Sequence, residues 1–312
     1  MAENRLLLID TFSGEIATLA EGDVPRALSR PIWNSDGTQL AYNDRLDTVI
    51  IDPFLMDAPA YFPYMSRIGF FSIEDWSPDG NSLLGIGGDT DHYTVSTFNL
   101  LDETYTILRE YIVGEPLPEN SDLQFREIKN LSWNPAFSDW IMIEIEAVQI
   151  ATLDLIEPTF LTVLVAFNHA TGEPHLINDL IAGLPEYLPD LAWSADGQEI
   201  IFATETGGSR IDIPPLLDSS GHWNPQPSLG ANELFRTTLL GWLGVERLFL
   251  LRRLNQDETQ YIYEIGKIVG DEILTLPFFT LDRMDIGDIS GSGTWHLNAD
   301  TAEQAQISTL FD

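Results

Sequence analysis

A tryptophan followed within four residues by a tight polar turn recurs along this chain, and the recurrence limits the fold more than any other feature. Residues 31–42 read PIWNSDGTQLAY, residues 74–85 EDWSPDGNSLLG, and residues 191–202 LAWSADGQEIIF. A longer version, LSWNPAFSDWIMIEI, occupies 131–145. A degenerate one, LGWLGVERLFLL, occupies 240–251, and DISGSGTWHL at 288–297 puts Ile289 where the others have Trp. The anchors Trp33, Trp76, Trp133, Trp193, Trp242 and Ile289 are 43 to 60 residues apart. Self-similarity at such a period marks a repeat architecture, in which each unit buries its apolar face against its neighbours.

A second pattern interleaves with the first. LLLIDTFSGEIATLA (6–20), VSTFNLLDETYTIL (95–108), VLVAFNHATGEPHLI (163–177) and YIYEIGKIVGDEILTL (261–276) each read as strand, polar turn, strand. Alternating apolar residues and β-branched enrichment support strands on both sides of these turns. Each unit therefore holds four strands: a Trp strand, a second strand after the Asp-Gly turn, and a hairpin supplying the third and fourth. That is the blade of a β-propeller.

Six Trp-type strands predict an all-β, six-bladed propeller of four-stranded blades, one domain over 1–312. The chain opens on a third-and-fourth-strand hairpin and closes on a first-and-second pair. The sixth blade is therefore expected to be split between about 1–25 and about 280–300. The tail, 301–312, is the one stretch with a helical signal.

Turn chemistry explains the recurring residues. In SPDG, Pro78 presets φ at the first corner, Asp79 satisfies a nearby backbone N–H, and Gly80 takes the left-handed conformation that closes the turn. Gly37 and Gly197 hold the same slot. Each Trp is expected to cover the flank between neighbouring blades, and its loss to Ala to cost about 3–5 kcal/mol. Packing needs such a site in every blade; catalysis does not.

WNSDGTQLAY, WSPDGNSLLG and WSADGQEIIF resemble the repeat of TolB-type β-propellers, which are related to WD-repeat folds, and FSGE and ATGE resemble that family's third-to-fourth-strand turn. The resemblance covers nearly the whole chain. It implies a six-bladed propeller with a central channel, used mainly for protein association and fused in some relatives to a serine hydrolase. No Gly-x-Ser-x-Gly nucleophile elbow occurs here.

Composition narrows the partners. Against 49 acidic residues stand 15 Lys and Arg, a formal charge of −34. Such a surface repels phosphate backbones and anionic lipid, so neither nucleic acid nor membrane insertion is expected, and a basic protein or peptide is the favoured partner. No cysteine is present, which removes disulfides, thiolate ligands and thiol catalysis. The N-terminal MAENRLLLID carries an apolar run of four residues, too short for a signal-peptide core, and no stretch reaches the length of a membrane span. As written the sequence reads as cytoplasmic; export with a leader removed is the alternative.

Function is sought away from the repeat turns. Insertions at 114–129, 148–160 and 207–233 are expected on the opposite face, where clustered loops often mark a binding surface. The last holds Arg210, Asp212, His222 and Trp223. GDTDHY (88–93) adds Asp89, Asp91 and His92 to that face; the two carboxylates could hold a structural Ca ion, but no EF-hand spacing follows, so a polar turn is the plainer reading and no cofactor is expected. YFPYM (61–65) reads as an outer strand more than a partner patch. His169 and His175 fall at a turn and on the next strand, where solvated surface is the default. GSGTW (291–295) lies in a propeller turn, not between strand and helix, so it is no phosphate loop. The leading expectation is a non-enzymatic scaffold for a protein or peptide. The alternatives are a propeller enzyme with metal ligands converging on the channel mouth, and an interaction domain cut from a larger chain.

Overall fold

The computed structural model describes residues 4–9, 16–22, 31–44, 47–54, 60–62, 70–149, 159–176, 191–193, 197, 199–204, 207–212, 237–243, 248–255, 257, 259–269 and 272–282. Within them the chain is all β. The first sheet is the hairpin of β1 (Asn4–Ile9) and β2 (Ile16–Gly22). Next comes the meander β3 (Ile32–Trp33), β4 (Leu40–Asp44), β5 (Asp47–Ile51) and β6 (Ala60–Phe62). It is followed by β7 (Phe70–Trp76), β8 (Ser82–Gly88), β9 (His92–Asn99) and β10 (Thr104–Ile112). The fourth sheet holds β11 (Leu123–Trp133), β12 (Trp140–Gln149), β13 (Thr159–Asn168) and β14 (Glu173–Leu176). The fifth shows three strands, β15 (Leu191–Trp193), β16 (Glu199–Thr204) and β17 (Gly207–Asp212). The sixth holds β18 (Thr237–Leu243), β19 (Leu248–Leu254), β20 (Gln260–Val269) and β21 (Glu272–Asp282). Every pairing is antiparallel between neighbours in sequence, as expected of propeller blades. The Ile289 repeat and the tail, on which ring closure and the blade count of six depend, lie outside the described residues.

The Trp residues mark one register. Trp33 pairs with Leu40, Trp76 with Leu83, Trp133 with Ile141, Trp193 with Ile200 and Trp242 with Phe249, always at or next to the end of a first strand. The copy at 240–251 thus keeps its place although its Asp-Gly is gone. YF of the YFPYM segment forms β6, the outer strand expected there.

The core lies between sheets. Ile32, Ala41 and Ile50 of the second sheet pack against Phe71, Ile73, Trp76, Leu83 and Phe98 of the third. Leu84, Ile86 and Val95 of the third join Phe125, Leu131, Trp133 and Ile143 of the fourth. Leu6 of the N-terminal hairpin packs on Tyr42 and Val49. Each of these sheets covers a face of the one before it, which removes both faces of a sheet from water without a helix among the described residues.

Buried polar groups stitch these interfaces. Asn43 on β4 accepts the Ile73 N–H through Oδ1 at 3.0 Å and donates from Nδ2 to the Phe71 carbonyl at 3.1 Å. The Trp76 indole donates to the Ile32 carbonyl at 3.0 Å, and the Trp133 N–H donates to Asp75 Oδ2 at 2.6 Å. Asn134 Nδ2 reaches the Gly197 carbonyl at 2.9 Å, joining the fourth sheet to the fifth.

In the SPDG turn, Ser77 Oγ donates to Asp79 Oδ1 at 2.6 Å and accepts the Ser82 N–H. The Ser77 hydroxyl, then the Asn81 backbone N–H and side chain, hold the Asp79 carboxyl below its ordinary value. Its contribution is therefore complete at neutral pH and is lost as pH falls through that lowered value. Gly80 has φ 70° and open space around it; Gly197 has φ 66° and abuts the Asn134 side chain. Gly80→Ala should cost about 1–2 kcal/mol by backbone strain alone. Gly197→Ala should cost more, because its methyl also displaces an intersheet hydrogen bond. Urea denaturation of both variants checks the order. Asn43→Leu, which leaves the Ile73 N–H and Phe71 carbonyl buried and unpaired, should lose about 2–4 kcal/mol by the same measurement.

Candidate functional site

In an antiparallel meander the first and third turns share one end, and the second turn and the connection to the next sheet share the other. The second end of the third and fourth sheets is built by 89–91, 113–122 and the ends of β12 and β13. Asp89 closes its own turn: its Oδ1 accepts the N–H of Asp91 and of His92, both at 3.1 Å. The Val113 N–H donates to the Asp91 carbonyl at 2.9 Å, tying the 88–93 turn to the residue that precedes the 114–129 insertion. His92 Nε2 lies 3.9 Å from Glu110 Oε2. No cluster of three His, Asp or Glu able to hold a metal ion occurs among the described residues.

The 114–129 insertion is half strand. β11 begins at Leu123, and 113–122 folds back on it: the Gly114 N–H donates to the Phe125 carbonyl, the Phe125 N–H to the Glu115 carbonyl, and the Leu117 N–H to the Leu123 carbonyl. Leu117, fully buried, plugs the intersheet core. Glu119 then ties the loop to β10. Its side chain is 2% exposed, and its Oε1 accepts from Arg109 Nη2 at 2.6 Å and from the Tyr111 hydroxyl at 3.2 Å. The Arg109 guanidinium also lies over the Tyr111 and Phe167 rings. Burial works against its charge, but the Glu119 carboxylate and Tyr111 outweigh it, so Arg109 holds its proton above the ordinary arginine value. Burial first, and then the Glu119 charge, push the Tyr111 hydroxyl far up.

On the fourth sheet, Glu146 takes Arg126 at 3.0 Å and Lys129 at 2.9 Å, and Lys129 also meets Glu127. Arg126 lies over the Phe160 ring at 4.6 Å. These cations occupy the irregular positions of β11, where its register with β12 shifts. Segment 150–158, the middle of the second insertion, lies outside the described residues. Ile112, Val113 and Phe160 remain exposed at this end.

The third insertion requires a correction. Residues 207–212, read from the sequence as the start of a loop on this face, form β17, the third strand of its sheet. Arg210 pairs with Ile201, and Asp212 pairs with Glu199, at the end that carries the Trp193 turn. The chain therefore leaves β17 at the opposite end. Neither residue joins Asp89, Asp91 and His92, while His222 and Trp223 lie outside the described residues. His169, half-buried at its turn, packs edge-on against Trp133 at 5.7 Å, with Nε2 2.8 Å from the Ser138 carbonyl. His175 stacks at a tilt on Trp140.

Solved structures share this architecture. The chain resembles a putative TolB from Agrobacterium tumefaciens with a TM-score of 0.52 and 11% identity, covering 90% of this chain and 91% of that one. The β-propeller domain of Cps50 (Swd1) from Myceliophteria thermophila matches with a TM-score of 0.51 and 10% identity, over 89% of this chain and 80% of that one. The fold is a TolB-like β-propeller. Oligogalacturonate lyase from Vibrio parahaemolyticus has the same architecture, with a TM-score of 0.50 and 10% identity over 89% of this chain and 72% of the lyase. Of the longer TolB from Acinetobacter baumannii, with a TM-score of 0.49, 14% identity and 88% of this chain aligned, the chain spans 59%. No protein-family model and no curated protein matches it. Among the described residues of this TolB-like propeller, no helix is long and apolar enough to cross a membrane.

Glu119→Gln removes the counter-charge of a largely buried arginine and should cost about 3 kcal/mol. Hydrogen exchange should show 113–122 losing protection first, with the Trp turns unchanged.

Proposed function

We propose that this chain is a non-enzymatic scaffold that binds a protein or peptide partner of positive charge. The partner rests on the end of the third and fourth sheets built by 89–91, 113–122 and the flanks of 150–158. The observation that carries this reading is the combination at that end of three exposed apolar side chains, Ile112, Val113 and Phe160, with a loop held in place by a buried ion pair. Apolar anchors on a pre-ordered surface lose little entropy on binding. The excess of carboxylates over cations supplies attraction to a basic surface at long range. Asp89, Asp91 and His92 belong to the rim; Arg210 and Asp212, paired within β17, are not counted in it.

The test is a pull-down from the native host with the wild-type chain and with an Ile112→Ser, Val113→Ser, Phe160→Ser variant. A basic partner retained by the wild type and lost by the folded variant is the expected result. Equal retention by both sinks the placement. A propeller enzyme is the competing reading, since an oligogalacturonate lyase shares the fold; stoichiometric metal surviving dialysis of the purified protein would favour it.

A further inference from the structure

Four consecutive residues, Ile107, Leu108, Arg109 and Glu110, line one shallow, open cleft of about 520 Å³ together with Pro118. A regular strand cannot do this, because successive side chains point to opposite faces. The cause is a bulge. Ile107 pairs with Ser96 and Arg109 with Val95, so Leu108 is the extra residue, and the strand bends there. Bulges re-aim side chains and are common beside functional sites. β10 is also the last strand of its sheet, so no further strand of the sheet lies beyond the cleft.

The cleft is chemically lopsided. Ile107 is 48% exposed, and Leu108 and Pro118 add further apolar lining. Arg109, the one cation in the lining, is neutralised by Glu119 from within. Glu110 faces water, with His92 Nε2 3.9 Å away. The open charge at the rim is therefore negative. Further along the chain, Ile112 and Val113 are also exposed.

Resting on the scaffold reading above, we propose that this cleft is where the partner's chain is anchored. It seats an extended basic segment, one apolar side chain against Ile107, Leu108 and Pro118, and a Lys or Arg against Glu110. A second copy of this chain is a poor occupant, since two molecules of charge −34 repel.

Three fluorescent peptides probe it by anisotropy: one alternating Lys or Arg with Leu, one with Glu in place of the cations, and one with Ser in place of Leu. The basic, Leu-containing peptide is expected to bind and the other two to bind at least about ten-fold more weakly. Binding should weaken with salt, and Glu110→Lys should flatten that dependence. Ile107→Ser combined with Glu110→Lys should abolish binding at an unchanged Tm; both side chains are exposed, so the fold tolerates the change. Undiminished affinity in that variant overturns the cleft. If the same peptide is then lost by the Ile112, Val113, Phe160 variant, the scaffold reading stands without it. Binding of the acidic or Ser peptide as tightly as the basic one overturns the partner chemistry. No binding of any peptide by the wild type overturns the cleft, leaving the scaffold reading to its own pull-down. Concentration-dependent dimers that vanish in the Ile107→Ser variant would assign the cleft to a second copy and overturn the proposal.

Discussion

None of the four-stranded sheets in this chain can bury both of its faces alone, and the rest of the structure follows from that constraint. β12 shows the demand: Ile141, Met142, Ile143 and Ile145 are all essentially inaccessible, so the strand is covered on both sides. No helix occurs among the described residues, and there the cover comes from another sheet. Apolar burial is non-directional, however, and would allow neighbouring sheets to slide. The directional terms are the buried hydrogen bonds across the interfaces. Asn43 grips the backbone of β7 at two points, Asp75 takes the Trp133 N–H, and Asn134 takes the Gly197 carbonyl. An unpaired buried group is costly, so each stitch admits one relative position of its sheets.

That division explains what the sequence reveals. The Trp and Asp-Gly positions were legible because turn stereochemistry and intersheet packing repeat with every blade. Even LGWLGVERLFLL, without its turn residues, keeps Trp242 opposite Phe249. The third-to-fourth-strand turns were legible for the same reason. Asn99 and Asn168 each accept two turn N–H groups, and Glu103 and Gly172 share the left-handed slot at φ 55° and 78°. β17 was missed because GGSRID has neither alternation nor β-branched enrichment; pairing with β16, not local preference, makes it a strand.

The candidate site was legible only in part. Loop length and alternation of turns put 88–93 and 114–129 at one end, and the Val113 N–H, just before the second of these, donates to the Asp91 carbonyl there. Nothing in the sequence marks Glu119 as the partner of Arg109. Their separation of ten residues corresponds to no secondary-structure period, and the pair forms only because Leu117 is drawn into the core between two sheets. The bulge at Leu108 is equally silent, since TYTILREYI reads as an unbroken strand.

The pinned loop also bears on the electrostatics. In a chain with 49 carboxylates and 15 fixed cations, each cation at this end is matched locally: Arg109 by Glu119, Arg126 by Glu146, Lys129 by Glu146 and Glu127. Such pairs add little to stability where they are exposed. Seen from outside, each such pair is close to neutral, so the surplus carboxylates set the sign of the field. Glu110, Glu115 and Asp122 are exposed on the same stretch of chain as Ile112 and Val113. A surface of this kind discriminates by sign before it discriminates by shape. Under the scaffold reading, like-charged partners would be repelled at a distance and basic ones would meet an apolar patch ordered by Leu117 and Glu119.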